Sequence, residues 1–235
     1  MDDRMISIGT KNEVSSILDS ILEYIFSDDT LPNKVLFKGG TALAKVYGIN
    51  RFSKDIDLSY IGTGYGNITY ELRDFVEGLG LAITNLSSNT MEFKVGQRKS
   101  SIDISYLRDV MNRDVDFADV MAADGRKYFV KAMDIDEILA EKFRAMMERK
   151  EGKDLFDAYA IIKKGIACKK EQIDFKCMHS EPQFPFDHEK FFEILDSWTE
   201  HRYIGQISDY VEKQHVIPLK DIKQELKGFI KRIYP

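Results

Sequence analysis

Two groups of residues in this 235-residue chain have the types and spacing to do chemistry together. The first is Asp55-Ile56-Asp57. Ile56, Leu58 and Tyr60 alternate there with Asp55, Asp57 and Ser59, so the segment reads as a strand with both carboxylates on one face. Carboxylate oxygens suit Mg²⁺ or Mn²⁺. Mg²⁺ in particular takes one or two protein carboxylates and completes its shell with substrate phosphates and water. The second group is Gly39-Gly40-Thr41, which joins the apolar run Val35-Leu36-Phe37 to a helix-forming stretch that Gly48 could end. A glycine pair at a strand-to-helix turn lets backbone N–H groups come close to an anion, and a helix start adds partial positive charge. A phosphate cradle followed closely by a carboxylate pair suits a nucleoside triphosphate.

Further along, Ile102, Ile104 and Tyr106 alternate with Ser101, Asp103 and Ser105, repeating the earlier pattern. If the two strands are neighbours, Asp103 shares the polar face of Asp55 and Asp57. A helix is expected from Asp134-Ile135-Asp136-Glu137, whose spacing resembles a capping box. Its apolar stripe holds Ile135, Ile138, Leu139, Phe143, Met146 and Met147, and Lys142 falls on that stripe. A lysine facing a core must reach water or meet an anion. Replacing it with methionine is then expected to leave the fold at least as stable. Gly152 breaks this helix, and the next carries Asp154 and Asp157 on one side.

Phe-Lys-Gly-Gly-Thr-Ala-Leu from Phe37, with Arg-Phe-Ser-Lys-Asp-Ile-Asp-Leu from Arg51, resembles the AbiEii/AbiGii toxin family of the polymerase-β-type nucleotidyltransferases. The match resumes near Asp103 and from Glu137 to Tyr159; nothing after about residue 170 takes part. The resemblance implies a transfer of NMP from an NTP to an acceptor. In it Asp55, Asp57 and Asp103 hold Mg²⁺ or Mn²⁺, and Asp103 also helps deprotonate the acceptor hydroxyl. Gly39, Gly40 and Thr41 hold the outer phosphates. Lys142 faces the nucleotide, Asp154 joins it in binding the nucleotide, and Asp157 positions either. It further implies the toxin of a toxin–antitoxin or abortive-infection pair, an RNA acceptor such as tRNA, and a separately encoded antitoxin. Three alternatives remain open at this stage: a protein or small-molecule acceptor such as an antibiotic, a phosphotransferase, and a nucleotide-binding regulator with a decayed site. The intact set of residues argues against decay.

The expected fold is α+β: a polymerase-β-like nucleotidyltransferase core with a mixed sheet over residues 1–133, and a mostly helical region over 134–235 closing the active-site cleft. The other elements frame it. Thr10-Lys11-Asn12-Glu13 has capping-box spacing before an amphipathic helix of Val14, Ile17, Leu18, Ile21, Leu22, Ile25 and Phe26. Ile61–Gly66 is a glycine-rich turn, strands are expected at 81–86, 91–95 and 101–106, and 108–125 reads as loop with Asp109, Asp114, Asp116, Asp119 and Asp124 solvated. Residues 127–132 could add a strand. Residues 165–186 read as loop, with later helices around Phe191–Trp198, through Ile207–Val211 and after Pro218.

Composition supports a soluble globular protein, with 43% hydrophobic and 31% charged residues. A net charge of −5 does not mark a general nucleic-acid binder, so an RNA acceptor needs a local basic face. The charged start Met1-Asp2-Asp3-Arg4 shows no signal peptide, and no apolar run reaches the ~20 residues of a membrane span. A cytoplasmic location is expected, with Cys168 and Cys177 as free thiols. The four histidines have no metal-ligand spacing.

Overall fold

The computed structural model describes residues 8–64 and 66–235; Met1-Asp2-Asp3-Arg4 and Tyr65 of the glycine loop lie outside them. Two compact units divide the chain. One takes it up to Gly48 and then Phe52–Met133, and the other takes Ile49–Arg51 and Asp134–Pro235.

The first unit starts with α1 (Ile8–Ser27), whose Val14, Leu18, Ile21, Leu22 and Ile25 are buried as the three-and-four spacing requires. The helix is already under way at Ile8, and the Thr10 side chain of the expected capping box lies outside what the structure describes. Asp19 shares the buried side of α1. It accepts from Lys45 at 2.6 Å, from the Tyr128 hydroxyl at 2.6 Å and from the Ala123 amide at 2.9 Å, which offsets the cost of burying it.

β1 (Val35–Lys38) is buried along its whole length, as its continuous apolar run implies. α2 (Gly39–Lys45) follows directly, and then β2 (Ile56–Tyr60). The short helices α3 (Ile68–Glu71) and α4 (Arg73–Gly78) lead to β3 (Ala82–Leu86), β4 (Thr90–Val95) and β5 (Arg98–Ser105). These strands form one mixed sheet in the order β1-β2-β5-β4-β3, with β2 and β5 parallel and the other pairs antiparallel. Parallel neighbours need a long crossover, and α3 to β4 supply it. The α+β class with a mixed sheet is therefore the observed one.

β6 (Phe117–Met121) and β7 (Lys127–Lys131) form a separate antiparallel pair. β6 lies where a loop was expected. Its outward face carries Phe117 and Met121, so apolar residues stand on both faces and the alternation that marks a strand is blurred.

The second unit is helical: α5 (Ile135–Glu148), α6 (Gly152–Lys163), α7 (Lys170–Met178), α8 (His188–Asp196), α9 (Glu200–Ile207) and α10 (Leu219–Ile233). Phe143 of α5 anchors its core, edge-on to Phe191 at 5.6 Å and stacked with Phe229 at 5.4 Å. Two boundaries differ from expectation. α9 ends at Ile207, where a helix was expected to begin, and α7 replaces a loop. α7 was hidden because one of its buried positions is Lys176, which meets the buried Glu137 of α5 at 2.8 Å. Cys168 and Cys177 are both buried free thiols, and burial pushes each up to about 12. Among the described residues no helix is long and apolar enough to cross a membrane.

Candidate active site

The carboxylates of the first unit are placed by strand register. Lys38 at the end of β1 pairs with Asp57 on β2, and Asp57 pairs with Asp103 on β5. In-register residues on adjacent strands point to the same face, so Asp57 and Asp103 project together. Asp55 precedes β2 by one residue. Its Oδ1 accepts from the Ser101 amide at 3.0 Å and lies 3.2 Å from the Ser101 hydroxyl. That hydroxyl is 2.6 Å from Asp103 Oδ2, and the Thr90 hydroxyl donates to Asp103 Oδ1 at 2.8 Å. A hydroxyl has one proton to give, and the shorter contact assigns it to Asp103. Ser101 thus stands between Asp55 and Asp103. Neither Ser101 nor Thr90 was singled out from sequence, although Ser101 lies two residues before Asp103 on the same polar face.

The glycine turn has a reason internal to the protein. Gly39 sits at φ +74°, and a Cβ there would fall 2.1 Å from Asp57 Oδ2. Only glycine tolerates both the left-handed backbone and the carboxylate lying against it. Gly40 is buried in the first turn of α2, and the buried Thr41 donates its hydroxyl to the Asp55 carbonyl. That bond ties the start of α2 to the approach of β2 and fixes Asp55 from behind.

Lys38 itself is buried, 3.6 Å from Asp109 Oδ2, and Ser59 donates to the other Asp109 oxygen at 3.5 Å. Asp109 is only 1% exposed, so it does not belong with the solvated acids of its segment. A single aspartate in a polar stretch has no periodicity to reveal its burial; its reason is a distant lysine.

Among the described residues no three His, Cys, Asp or Glu side chains are grouped closely enough to hold a metal ion. The donor set nonetheless suits a hard divalent cation. Asp57 and Asp103 are carboxylates in register on neighbouring strands, and one or two such groups are what Mg²⁺ takes from a protein when phosphates and water supply the rest.

The second unit holds the remaining candidates in a different setting. Lys142 is 6% exposed, with its Nζ 2.9 Å from Asp154 Oδ1 and 2.8 Å from Asp157 Oδ2. Of the two fates open to a lysine on an apolar stripe, it meets anions. Asp154 and Asp157 are fully buried, at 0% exposure. Asp154 also takes Arg149 Nε at 3.0 Å, and Asp157 takes Arg51 Nε at 3.1 Å. Burial by itself pushes the Lys142 ammonium towards neutrality, but the two carboxylates outweigh it and hold its pKa above the ordinary lysine value. Burial likewise favours a protonated Asp154, and Lys142 with Arg149 overcome this and hold it down to about 2. These ion pairs reverse the expectation that methionine at position 142 would be harmless to the fold.

A family model described as the nucleotidyl transferase AbiEii toxin of type IV toxin–antitoxin systems matches residues 20–226. Among solved structures, MenT4, a nucleotidyltransferase toxin from Mycobacterium tuberculosis, is similar at 15% identity and TM-score 0.67, over 93% of this chain and 82% of that one. JHP933 from Helicobacter pylori is similar at 17% identity and TM-score 0.55, over 97% and 93%. At such identities the likeness is one of fold. No curated protein sequence matches. The family model spans most of the chain and includes both the Gly39-Gly40-Thr41 turn and the aspartates of the sheet, so this protein belongs to the AbiEii toxin nucleotidyltransferases and is a nucleotidyltransferase enzyme.

Proposed function

We propose that the enzyme transfers NMP from a nucleoside triphosphate to an RNA acceptor such as tRNA, as the toxin of a toxin–antitoxin or abortive-infection pair neutralised by a separately encoded antitoxin. The observation that carries the reading is the in-register pairing of Asp57 with Asp103, with Asp57 held against Gly39. A divalent cation, Mg²⁺ or Mn²⁺, would be held by Asp55, Asp57 and Asp103, and when bound it supplies a charge clamp for the phosphate oxygens.

The protein groups do the rest. Asp103, with both oxygens fixed by hydroxyls, takes the proton from the acceptor hydroxyl. Gly39 and Gly40 offer backbone amides to the outer phosphates, and Thr41 keeps that turn on β2 through the Asp55 carbonyl. Lys142 contributes positive charge toward the triphosphate, with Asp154 and Asp157 keeping it charged and oriented.

The test is to incubate the protein with Mg²⁺, total cellular RNA and each triphosphate labelled at the α-position or, in parallel, at the γ-position. Label in RNA, lost in Asp57→Asn, is the expected result. Label on protein or on a small molecule would redirect the acceptor, and label arriving only from the γ-position would make the enzyme a phosphotransferase.

A further inference from the structure

Arg51 has a place in the second unit that the reading so far does not use. Its side chain is 3% exposed, and its Nε lies 3.1 Å from Asp157 Oδ1. Asp157 Oδ2 is the oxygen that meets Lys142, at 2.8 Å. One buried carboxylate therefore aligns two cations, one on each oxygen. The Arg51 guanidinium also lies over the Tyr210 ring, 5.7 Å from its centroid, which fixes its plane from a second side.

Two features of this arrangement call for an anion. The first is an orphaned donor: Arg51 Nη1 is buried and has no hydrogen-bond acceptor among the described residues. A buried guanidinium N–H without an acceptor is costly, and proteins rarely keep one without a use for it. The second is the charge balance. Around Asp157 two buried cations, Arg51 and Lys142, share a single carboxylate. A guanidinium is the group best shaped for a phosphate, since its N–H donors form a planar fork.

We propose that Arg51 is a phosphate-binding residue, a second cation beside Lys142 that donates through Nη1 to an oxygen of the triphosphate. This rests on the reading that the enzyme uses a nucleoside triphosphate.

The experiment measures binding of the four nucleoside triphosphates, and of the di- and monophosphates of whichever binds, to the parent and to Arg51→Gln and Arg51→Lys, with melting curves for each. The parent binds the triphosphate more tightly than the monophosphate. In Arg51→Gln the triphosphate affinity falls about ten- to hundredfold while that of the monophosphate is nearly kept, as for loss of one charge-assisted contact. Arg51→Lys keeps a cation for Asp157 and recovers only part of the loss. Arginine side-chain NMR of the parent, with Arg51 assigned from the Arg51→Lys spectrum, reads the contact even if Arg51→Gln does not fold: the Arg51 signal shifts with triphosphate and not with monophosphate. An unmoved Arg51 signal, or a folded Arg51→Gln with parental triphosphate affinity, overturns the proposal and leaves the nucleotide reading intact. A parent that binds no nucleotide overturns that reading first, and this inference with it.

Discussion

Asp103 and Asp157 are the same residue type in opposite environments. Asp103 is half-buried on a strand and is held by two hydroxyls, those of Thr90 and Ser101. Asp157 is fully buried on a helix and is held by two cations, Lys142 and Arg51. A carboxylate positioned by neutral donors keeps its whole charge for whatever comes to it. One sandwiched between cations has spent its charge locally, and its value lies in keeping those cations charged and aimed. Asp103 is thus suited to bind a cation, and Asp157 to present cations.

The largest effect should come from unbalancing the helical cluster. Lys142→Met leaves Asp154 with Arg149 and Asp157 with Arg51 as their remaining ion-pair partners there. Breaking a buried pair from one side costs about 3–5 kcal/mol, so the melting temperature should fall by about 6–20 °C on the scale of roughly 2–4 °C per kcal/mol for a protein of this size. The double variant Lys142→Met, Asp157→Asn should recover part of that loss. An unchanged melt in the single variant would mean that the cluster does not hold the helices together.

The counterpart on the sheet is Asp57→Asn, a nearly isosteric change against Gly39. Transfer should drop at least about a hundredfold, since even groups that only orient metal ligands cost 10–100-fold when removed. The melt should shift by no more than a few degrees. Residual activity near parental levels would remove Asp57 from the chemistry, and a collapse in stability would make it a structural residue like Asp157.

Why one half of this contrast could be read from sequence and the other could not is a matter of periodicity. Strand alternation puts Asp57 and Asp103 on polar faces; that their strands are neighbours in a mixed sheet is implied by the family resemblance, and the register shows it. Lys142 drew notice because it interrupts an apolar stripe. Arg51, Thr90 and Asp109 carry no such signal. Each earns its place through a partner far away in sequence, as Arg51 does with Asp157 and Asp109 with Lys38. β6 and α7 were missed for a related reason: an outward Phe117 and a buried Lys176 each break the rule that sorts apolar from polar faces.

The contrast also predicts a pH response. Asp154 is held at about 2 against an ordinary 3.8, so the folded protein keeps it charged further into acid than the unfolded chain does. Its contribution is complete above about pH 4 and is lost as pH falls toward 2; nearly two pH units correspond to about 2 kcal/mol. Lys142 is shifted the other way, so its contribution is complete below the ordinary 10.5 and is lost at higher pH. Melting curves between pH 2 and 11 should therefore show a plateau with losses at both ends. In Lys142→Met, where Asp154 has lost one of its two cations, the acid-side loss should end nearer pH 4 and be smaller. An acid limb identical to that of the parent would show that Arg149 alone sets the Asp154 charge.

The smallest effect is the most discriminating one for the sheet. Ser101 contacts both Asp55 and Asp103, yet it offers a single hydroxyl proton. Ser101→Ala removes that donor and leaves the backbone amide that binds Asp55 Oδ1 in place. Asp103 would then be held by Thr90 alone, free to turn about its side-chain bonds. If Ser101 positions the carboxylate, turnover should fall about tenfold, the equivalent of one hydrogen bond of roughly 1.4 kcal/mol. KM for the triphosphate should move little, since phosphate contacts are made elsewhere. Ser101→Thr keeps the hydroxyl and suits a strand, so it should restore most of the rate. The requirement for Mg²⁺ gives an independent reading: a loosened Asp103 should raise the concentration needed for half-maximal rate in Ser101→Ala and return it in Ser101→Thr. A purely structural role would lower stability and leave that concentration where it was, and it would place Ser101 with the residues that build the sheet instead of those that aim its charges.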